Sequence, residues 1–320
     1  DTGLRSAAEN ISMNRAILGS HCSQQSPNTL RFLQFTPSAL LGFHQCAEQE
    51  LYLDYCRQQQ ITVQRRITGG GAIYFDEAHL GWELYLDKAT LGASDLGEVS
   101  RLICEAAANG MRRLGVNAQF RPRNDIEVDG RKISGTGGLF DGDSLLYQGT
   151  LLLDLDVEKM VRILRIPAEK LIDKAIQSAR ERVVSMKALL GVLPDLDKVK
   201  RSLMQAFAEA FGIEFVQDDV LNGQEQARYV DGVVESDSDA WVFEVSRPLC
   251  DVPVMKGVHR CKGGLMRAHV AVDRKRRIIR QAWITGDFFV HPARSILDLE
   301  ASLKDISFDE IQKVVHAFFQ

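Results

Sequence analysis

Three consecutive glycines at 69–71 come two residues after Arg65 and Arg66 and lie between two runs of strand-like composition, 62–66 and 72–75. Glycine adopts backbone conformations that other residues avoid, and it has no side chain to hold a ligand away from the backbone N–H groups. Guanidinium groups bind carboxylates and phosphates strongly. The stretch therefore predicts a loop between two strands that binds an anion and also admits a bulky ligand.

The composition is that of an ordinary globular protein with a substantial core, since 45% of the 320 residues are hydrophobic and 26% are charged. This length predicts two domains. The formal net charge of −4 argues against a nucleic-acid partner bound through its phosphates. None of the cysteines forms a Cys-x-x-Cys pair, and we see neither a membrane span nor a secretory signal. We therefore expect a cytoplasmic protein with reduced thiols and no membrane partner.

The hydrophobic pattern alternates between helical and strand periods, which predicts an α+β fold. The predicted helices are 6–18, 45–59, 94–114, 157–164, 167–176, 197–211, 292–303 and the segment after a capping box at 307–310. Further strands are predicted at 30–35, 39–42, 80–87, 145–155, 264–272 and 277–285, with a flexible loop at 135–138. A polar, acidic stretch without clear periodicity, 218–237, predicts a linker between a larger domain, 1–217, and a smaller domain, 238–320.

An Asp-Gly pair at 129–130 lies between two runs of alternating apolar and polar residues, a pattern typical of a two-residue β-hairpin. Cross-strand partners share a face of the sheet. The predicted pairs are Val128 with Arg131, Glu127 with Lys132, and Asp125 with Ser134. The hairpin should therefore present one lysine among carboxylates on its polar face.

Three separated motifs occur in a defined order. They are Arg-Ile-Thr-Gly-Gly-Gly-Ala-Ile-Tyr-Phe-Asp at 66–76, Asn-Asp-Ile at 124–126 with Gly-Arg-Lys-Ile-Ser-Gly at 130–135, and Gln-Gly-Thr-Leu-Leu-Leu at 148–153. In this order and spacing they resemble the lipoate–protein ligase A family, within the superfamily of biotin and lipoate ligases and octanoyltransferases. The segment 178–183 is similar as well, and the resemblance covers 6–212. The tail resembles the small accessory domain of such ligases at 262–267 and 284–289.

The resemblance implies a mixed β-sheet packed with helices, followed by a small α/β accessory domain. It also implies a two-step, ATP-dependent reaction. Lipoate, or octanoate, and ATP would give the acyl-adenylate and pyrophosphate, and a lysine of an acceptor protein domain would then take the acyl group. Mg²⁺ is implied as the cofactor of the first step.

The resemblance implies a catalytic role for Lys132, which would contact the carboxylate and the α-phosphate and stabilise the charge that develops between them. Asp125 would bind Mg²⁺, or alternatively pair with Lys132. An apolar slot formed by 30–35, 39–42 and the strand after the glycines would hold the acyl chain. The complete set of implied contacts to substrate or ATP is Arg66, Gly69, Gly70, Gly71, Ala72, Ile73, Tyr74, Asn124, Asp125, Ser134, Gln148, Thr150 and Arg180.

Two positions depart from the family pattern, because Phe75 and Gln148 stand where relatives often have histidine. A general-base role at these positions is therefore not expected. One alternative function is an octanoyltransferase that uses acyl carrier protein without ATP, for which Cys46 is the cysteine to test. Another is a non-catalytic relative that binds lipoate. The triple-glycine loop and the accessory domain favour the ligase, and the intact surroundings of Lys132 argue against a non-catalytic protein.

Overall fold

The protein has an α+β fold in a computed structural model that describes residues 1–92, 95–122, 124–165, 172–218, 221–245 and 253–320. In chain order the strands are β1 (Leu4–Arg5), β2 (Thr29–Phe35), β3 (Ser38–Leu41), β4 (Thr62–Arg65), β5 (Ile73–Phe75), β6 (His79–Asp87), β7 (Gln119–Arg121), β8 (Asp125–Val128), β9 (Arg131–Asp141), β10 (Ser144–Leu152), β11 (Val254–Cys261), β12 (Gly264–Asp273) and β13 (Ile278–Gly286). They form a seven-stranded sheet in the order β1-β2-β6-β10-β9-β8-β7 and two three-stranded sheets, β4-β3-β5 and β11-β12-β13. The predicted fold class is confirmed.

The helices are α1 (Ala7–Cys22), α2 (Ala47–Glu50), α3 (Leu53–Gln58), α4 (Lys88–Leu91), α5 (Leu96–Arg113), α6 (Val157–Ile163), α7 (Ile172–Arg182), α8 (Met186–Leu190), α9 (Leu196–Phe211), α10 (Gly223–Ser236), α11 (Asp239–Val242), α12 (Ser295–Ser302) and α13 (Ile311–Phe318). Helix α1 begins with a capping box between Ser6 and Glu9, and α9 ends at Gly212 in the left-handed conformation. The helix predicted at 45–59 is interrupted between α2 and α3. The first half of the one predicted at 167–176 lies largely outside the described residues.

The large sheet has a helix layer on each face. On one face α5 and α9 cover the core, where Trp82, Tyr147 and Phe207 are fully buried. A Cβ added at Gly149 would lie 2.0 Å from the indole ring of Trp82, so this position accepts only glycine. On the other face α1 packs against β6 and β10. The candidate site lies on the α1 face.

Part of the predicted linker is a helix. Helix α10 packs along α1, where Ser12 Oγ donates to the carbonyl of Tyr229 at 2.8 Å and Arg15 pairs with Glu235 at 3.0 Å. Sequence analysis predicted no helix in this stretch. The helix is held by polar contacts and by an Asn222 capping box, rather than by the apolar stripe on which periodicity analysis depends. The division of the chain into domains stays a prediction.

The predicted hairpin is correct at its turn and wrong at its base. Asp129 and Gly130 have φ values of 50° and 76°, and the first two predicted pairs, nearest the turn, are formed. A β-bulge then shifts the register, so that Ser134 pairs with Ile126 and Asp125 pairs with Gly135. Ser134 consequently turns away from the polar face and is fully buried. The residues 135–138, predicted as a loop, continue β9.

The C-terminal unit consists of β11, β12 and β13 with α12 and α13 packed against them. It contacts the segment before α2. The amide of Gly286 donates to the carbonyl of His44 at 3.0 Å, and the His44 ring stacks on Phe288 with centroids 5.0 Å apart. Glu50 and Arg267 form an ion pair across the same contact. In the described parts of the chain, every helix is too short or too polar to traverse a lipid bilayer.

Acid should weaken the folded state through His44. Burial, followed by the charge of Arg65, lowers the pKa of His44 from its usual 6.5 to about 4. The unfolded chain therefore binds more protons between pH 6.5 and pH 4, so stability falls as the pH falls through this window. We expect the free energy of unfolding to fall by about 2 kcal/mol between pH 7 and pH 5 from this group. His44→Phe retains the ring contact, and its stability in urea titrations should depend less on pH by that amount; an equal dependence would contradict the assignment.

Candidate active site

A cavity of about 150 Å³ lies on the α1 face of the large sheet, between this sheet and the glycine loop, residues 69–71. The strand register places two rows of residues across its floor. The first row is Gly135, Thr150, Gly81 and Leu33, and the second is Gly137, Gln148 and Glu83, with Arg31 next to Glu83 on the neighbouring strand. Glycines at three of these positions leave room above the sheet for a ligand.

The glycine loop is held by its own backbone and by Arg66. A Cβ on Gly42 would lie 1.9 Å from the carbonyl oxygen of Gly70, so the two chain segments are in backbone contact. The Arg66 guanidinium donates to the carbonyls of Leu40 at 2.8 Å and Gly71 at 2.9 Å, with a longer bond to Gly69 at 3.2 Å. Gly70 has a φ of 95°, a conformation that favours glycine. The loop is therefore rigidly positioned over the cavity.

The charged guanidinium group of Arg66 is hydrogen-bonded to backbone carbonyl groups instead of water. Burial lowers the pKa of Arg66 to about 10, so the group is still protonated at neutral pH. Among the described residues, Arg66 forms no ion pair with a carboxylate, although it lines the cavity. A bound carboxylate or phosphate would supply the missing counter-charge.

Arg65, the other arginine of the pair, serves a structural purpose. Its side chain is fully buried and donates to the carbonyls of Phe43 at 2.8 Å, Gln45 at 2.7 Å and Val242 at 2.8 Å. These bonds connect β4 to the segment before α2 and to the end of α11. The expectation that both arginines face an anion is therefore wrong for Arg65, because successive residues of a strand point to opposite faces.

Lys132 extends across β9 into the cavity. Its Nζ lies 2.6 Å from Oδ1 of Asp125, and the side chain of Lys132 is about a third exposed. A Cβ added at Gly135 would lie 2.7 Å from Cε and 2.8 Å from Nζ of Lys132. Thr150 Oγ1 lies next to the same glycine, 3.3 Å from its amide nitrogen. The bulge of the hairpin and the missing side chain at Gly135 thus place the ammonium group at the cavity wall, oriented by one carboxylate.

Gly135→Ala should reduce activity more than stability. The methyl group would displace the flexible end of Lys132, whereas the strand conformation accepts alanine. We expect the unfolding free energy to change by less than about 1 kcal/mol and the predicted acyl-adenylate formation to slow at least tenfold, which corresponds to about 1.4 kcal/mol. Gly257→Ala is the matched control, because that strand glycine has open space around it. A fully active Gly135→Ala variant would show that the position of Lys132 is unimportant.

A buried polar network includes the second row of the floor, and Gln148 is its one member that sequence analysis predicted. Glu83 accepts from Gln148 Nε2 at 2.8 Å and from Asn14 Nδ2 at 2.7 Å, and it pairs with Arg31 at 3.1 Å. Thr68 Oγ1 donates to Gln148 at 3.0 Å. The sequence signal for this network was Glu83, a charged residue inside the apolar run of β6. A glutamate is rarely buried without a partner, so its position indicates buried polar neighbours.

The predicted apolar walls come together around this network. The cavity is lined by Leu33, Phe35, Leu40, Ile73 and Phe75, from the strands to which the acyl slot was assigned. Phe35 and Phe75 are in ring contact, with centroids 4.7 Å apart. Their binding of an acyl chain stays a prediction.

Other predicted site residues fall into two groups. The cavity is lined by Arg66, Gly69, Gly70, Gly71, Ile73, Asn124, Lys132, Gln148 and Thr150, with Asp125 behind Lys132. The residues placed elsewhere are Ala72, Tyr74, Ser134 and Arg180.

The four residues outside the cavity have other contacts. Tyr74 is buried with Ala72 on the opposite side of β5, and its hydroxyl donates to Asp76 at 2.8 Å. Ser134 lies in the core below the sheet, and Arg180 forms an exposed ion pair with Glu158 at 3.7 Å. Only some residues of each motif therefore line the cavity. Because side chains alternate along a strand, their neighbours point to the opposite face of the sheet.

The site offers one carboxylate to a metal ion beside the lysine. Within the described ranges, no group of three His, Cys, Asp or Glu side chains could hold a metal. Asp125, which pairs with Lys132, would suit Mg²⁺ only if phosphate oxygens and water supplied the other ligands. This is the usual donor set for Mg²⁺ bound with a nucleotide. Asp125 therefore fits an Mg²⁺ ion that is bound together with a nucleotide, but not one bound by the protein alone.

Two curated relatives are similar over most of their length. The chain is 30% identical over 206 residues to lipoate-protein ligase A subunit 1 of Thermoplasma acidophilum, covering 61% of this chain and 77% of the relative. It is 28% identical over 235 residues to the octanoyltransferase LipM of Kyrpidia tusciae, covering 66% of this chain and 85% of the relative. The relatives therefore include both ligases and transferases.

Solved structures share the fold. An archaeal bipartite lipoate protein ligase, solved in a study that includes its E2 lipoyl domain from Thermoplasma acidophilum, has a TM-score of 0.67 and 27% identity, covering 77% of this chain and 97% of its own. A lipoate-protein ligase A bound with ATP has a TM-score of 0.65 and 24% identity, covering 75% and 95%.

A third structure extends the likeness to the C-terminal unit. LipL1 of P. falciparum in complex with lipoate has a TM-score of 0.77 at 16% identity and covers 99% of this chain and 93% of its own. Within the chain, the family model for the lipoyl protein ligase A/B catalytic domain matches residues 6–208, which is more than half of the sequence. The chain therefore belongs to the lipoyl protein ligase A/B catalytic domain family.

Proposed function

We propose that the protein is an ATP-dependent lipoate–protein ligase. The observation that carries this proposal is the presence of two cations, Arg66 and Lys132, at one cavity that also has an apolar wall. The two carboxylates nearby are each paired, Asp125 with Lys132 and Glu83 with Arg31. Such a site suits the reaction of an amphipathic carboxylic acid with a second anion. The names of its relatives and of the ATP-bound and lipoate-bound neighbours support the same substrates.

The first step joins two anions that repel each other. A carboxylate oxygen of lipoate attacks the α-phosphorus of ATP, the bond to the bridging oxygen breaks, and pyrophosphate leaves. In this proposal Lys132 contacts both the carboxylate and the α-phosphate and offsets the charge that accumulates between them. Asp125 fixes the ammonium group at 2.6 Å, so little reorganisation is needed during the reaction.

The second step needs an acceptor amine. A lysine of a lipoyl-acceptor domain attacks the acyl carbon of the adenylate, AMP leaves with the electron pair of the broken bond, and the amine loses a proton. Gly69 to Gly71 bring backbone rather than side chains to the cavity edge, where the acyl group must be reached. The archaeal neighbour and its E2 lipoyl domain support a partner of this class.

The alternative is transfer of octanoate from an acyl carrier protein, which the LipM relative supports. A cysteine nucleophile needs access to the acyl group and a thiolate-favouring environment. Cys46 is fully buried and its Sγ lies 2.9 Å from a carboxylate oxygen of Glu48, which disfavours a thiolate. None of the cysteines in the described ranges lines the cavity. The geometry therefore favours the ligase over a cysteine-dependent transferase.

The decisive experiment compares three donors with one acceptor panel. Purified enzyme is incubated with acceptor domains under three conditions: with lipoate alone, with lipoate, ATP and Mg²⁺, or with octanoyl acyl carrier protein. The masses of the acceptor domains are then measured by mass spectrometry. We expect modification only with lipoate and ATP, and we expect Cys46→Ala to be as active as the wild type. Modification from the carrier protein without ATP would instead establish a transferase, and no modification with any donor would favour a non-catalytic relative.

A further inference from the structure

The carboxylate of Glu83 fixes the direction of the hydrogen bonds in the buried network of the floor. Its Oε1 accepts from Asn14 and Gln148. Its Oε2 accepts from Arg31 at 3.1 Å and from the hydroxyl group of Tyr85 at 2.8 Å. A carboxylate paired with a guanidinium group only accepts, and these four donors fill its two oxygens. The neighbours of Glu83 therefore turn their donors towards it.

The side-chain amide of Gln148 consequently has one orientation. Its Nε2 donates to Glu83 at 2.8 Å and to Oδ1 of Asn14 at 3.3 Å, which uses both of its hydrogens. Its Oε1 accepts from the hydroxyl group of Thr68 at 3.0 Å, and this hydroxyl group has then donated its only hydrogen. Gln148 and Thr68 line the cavity, and each of their oxygens retains a lone pair. These two side chains therefore offer a ligand hydrogen-bond acceptors but no free donor.

Gln148 lies on the floor next to the predicted reaction centre. It is two residues from Thr150 on β10, so the two side chains point to the same face and stand about 7 Å apart. Thr150 Oγ1 lies 3.7 Å from the position that a Cβ at Gly135 would take, and the Lys132 ammonium group lies 2.8 Å from that same position. A donor that is hydrogen-bonded to Gln148 would therefore lie beside an acyl group bound at Lys132.

The two rows of the floor lead away from this centre in different directions. Along the first row, Gly81 and Leu33 lead from Thr150 to the apolar wall that is predicted to hold the acyl chain. The second row leads to the glycine loop, because Thr68 immediately precedes the three glycines and is bonded to Gln148. An acceptor lysine that enters at the glycine loop therefore meets the second row before it meets the acyl group.

We propose that Gln148 Oε1 and Thr68 Oγ1 accept the two N–H hydrogens of the acceptor lysine amine during the transfer step. This inference rests on the proposed function, which brings such an amine to the acyl-adenylate. The neutral amine then has its lone pair free for the acyl carbon. As the C–N bond forms, the C–O bond to AMP breaks and AMP leaves with its electron pair. The nitrogen loses one proton to water, because an amide oxygen is too weak a base to take it.

The same polarity leaves the two anions of the first step to the cations. Carboxylate and phosphate oxygens are themselves acceptors, so they gain nothing from Gln148 Oε1 or Thr68 Oγ1. Lys132 and Arg66 attract them instead. The two acceptor oxygens therefore act in the transfer step, after the anhydride has formed, and their loss should slow transfer more than adenylate formation.

The test measures the two steps separately in Gln148→Leu. Lipoate and ATP are first converted to the adenylate without an acceptor, an acceptor domain is then added, and both phases are followed by rapid quenching and mass spectrometry. We expect the ratio of the transfer rate to the adenylation rate to fall at least tenfold relative to the wild type, which corresponds to about 1.4 kcal/mol. Gln281→Leu is the matched control and should keep the wild-type ratio, because Gln281 is an exposed glutamine of β13.

Two further substitutions keep a donor for Glu83. Thr68→Val removes one acceptor oxygen and leaves Gln148 in place, so the same ratio should fall by about threefold. Gln148→His supplies a ring N–H for Glu83 and an acceptor nitrogen for the amine, so it should restore most of the ratio at high pH. Below about pH 7 its ratio should fall, because the protonated ring has no acceptor. The ratio in the wild type should lack this pH dependence.

Equal ratios in the wild type, Gln148→Leu and Thr68→Val overturn this inference and leave the proposed function standing. A ratio that rises because adenylate formation alone is slowed also overturns it, since the donor would then belong to the ribose or the adenine of ATP. If Gln148→Leu does not fold, Thr68→Val and Gln148→His decide between these outcomes. Failure of the folded wild type to form the adenylate overturns both the inference and the proposed function.

Discussion

Replacing Lys132 by alanine should reduce the rate of acyl-adenylate formation by about 10³-fold or more while leaving the melting temperature nearly unchanged. The large effect follows from position, because no other lysine among the described residues lines the cavity. Stability should be retained since the side chain is partly exposed and makes one ion pair. The measurement is single-turnover detection of the adenylate by mass spectrometry, with thermal unfolding of the same samples.

A matched lysine separates the catalytic effect from the loss of an ion pair. Lys187 pairs with Asp154 at 2.7 Å, as Lys132 pairs with Asp125 at 2.6 Å, but Lys187 does not line the cavity. Lys187→Ala should therefore form the adenylate at the wild-type rate. Adenylate formation at a normal rate by Lys132→Ala would show that this lysine has been misassigned.

Replacing Arg66 by alanine should cost both stability and substrate binding. The substitution leaves the carbonyls of Leu40, Gly69 and Gly71 without these donors. The bonds to Leu40 and Gly69 are partly buried and the bond to Gly71 is exposed, and an unsatisfied buried carbonyl costs about 1–3 kcal/mol. Since water can enter and satisfy part of this set, we expect the unfolding free energy to fall by about 2–4 kcal/mol. Loss of the charge should also raise the dissociation constant of ATP or lipoate at least tenfold, as calorimetry would show.

Arg66→Lys distinguishes the two roles of this side chain. The lysine retains the positive charge but lacks the planar fork, so binding should recover more than loop stability does. Arg101→Ala, which breaks an exposed ion pair with Glu105, should change stability by less than about 0.5 kcal/mol. Unchanged stability and binding in Arg66→Ala would contradict the view that this guanidinium holds the loop and attracts the anion.

The sequence predicted those features that depend on local backbone chemistry. The glycine loop lies between two strands as expected, and Asp129-Gly130 forms the turn because both residues accept positive φ. The capping box predicted at 307–310 is formed, and the helix predicted at 197–211 ends at Gly212. Such features are set by a few neighbouring residues, so they can be identified from sequence without knowledge of the tertiary fold.

Features that depend on distant contacts were not predictable in this way. The bulge that separates Ser134 from Lys132 needs the register of the whole sheet, and a shift of one residue exchanges the two faces. Helix α10 is stabilised by contacts with α1. Phe289 reaches the glycine loop from a segment more than 200 residues later in the chain, and nothing in its local sequence indicates this contact.

The most direct test of the central claim, that Lys132 neutralises a carboxylate and a phosphate so that they can join, is pyrophosphate exchange without any acceptor protein. Labelled pyrophosphate is incubated with enzyme, ATP and Mg²⁺, with or without lipoate, and incorporation of label into ATP is measured for the wild type and Lys132→Ala. We predict exchange that requires lipoate in the wild type and is lost in the variant. No exchange in the wild type, together with transfer of octanoate from a carrier protein, would contradict the account.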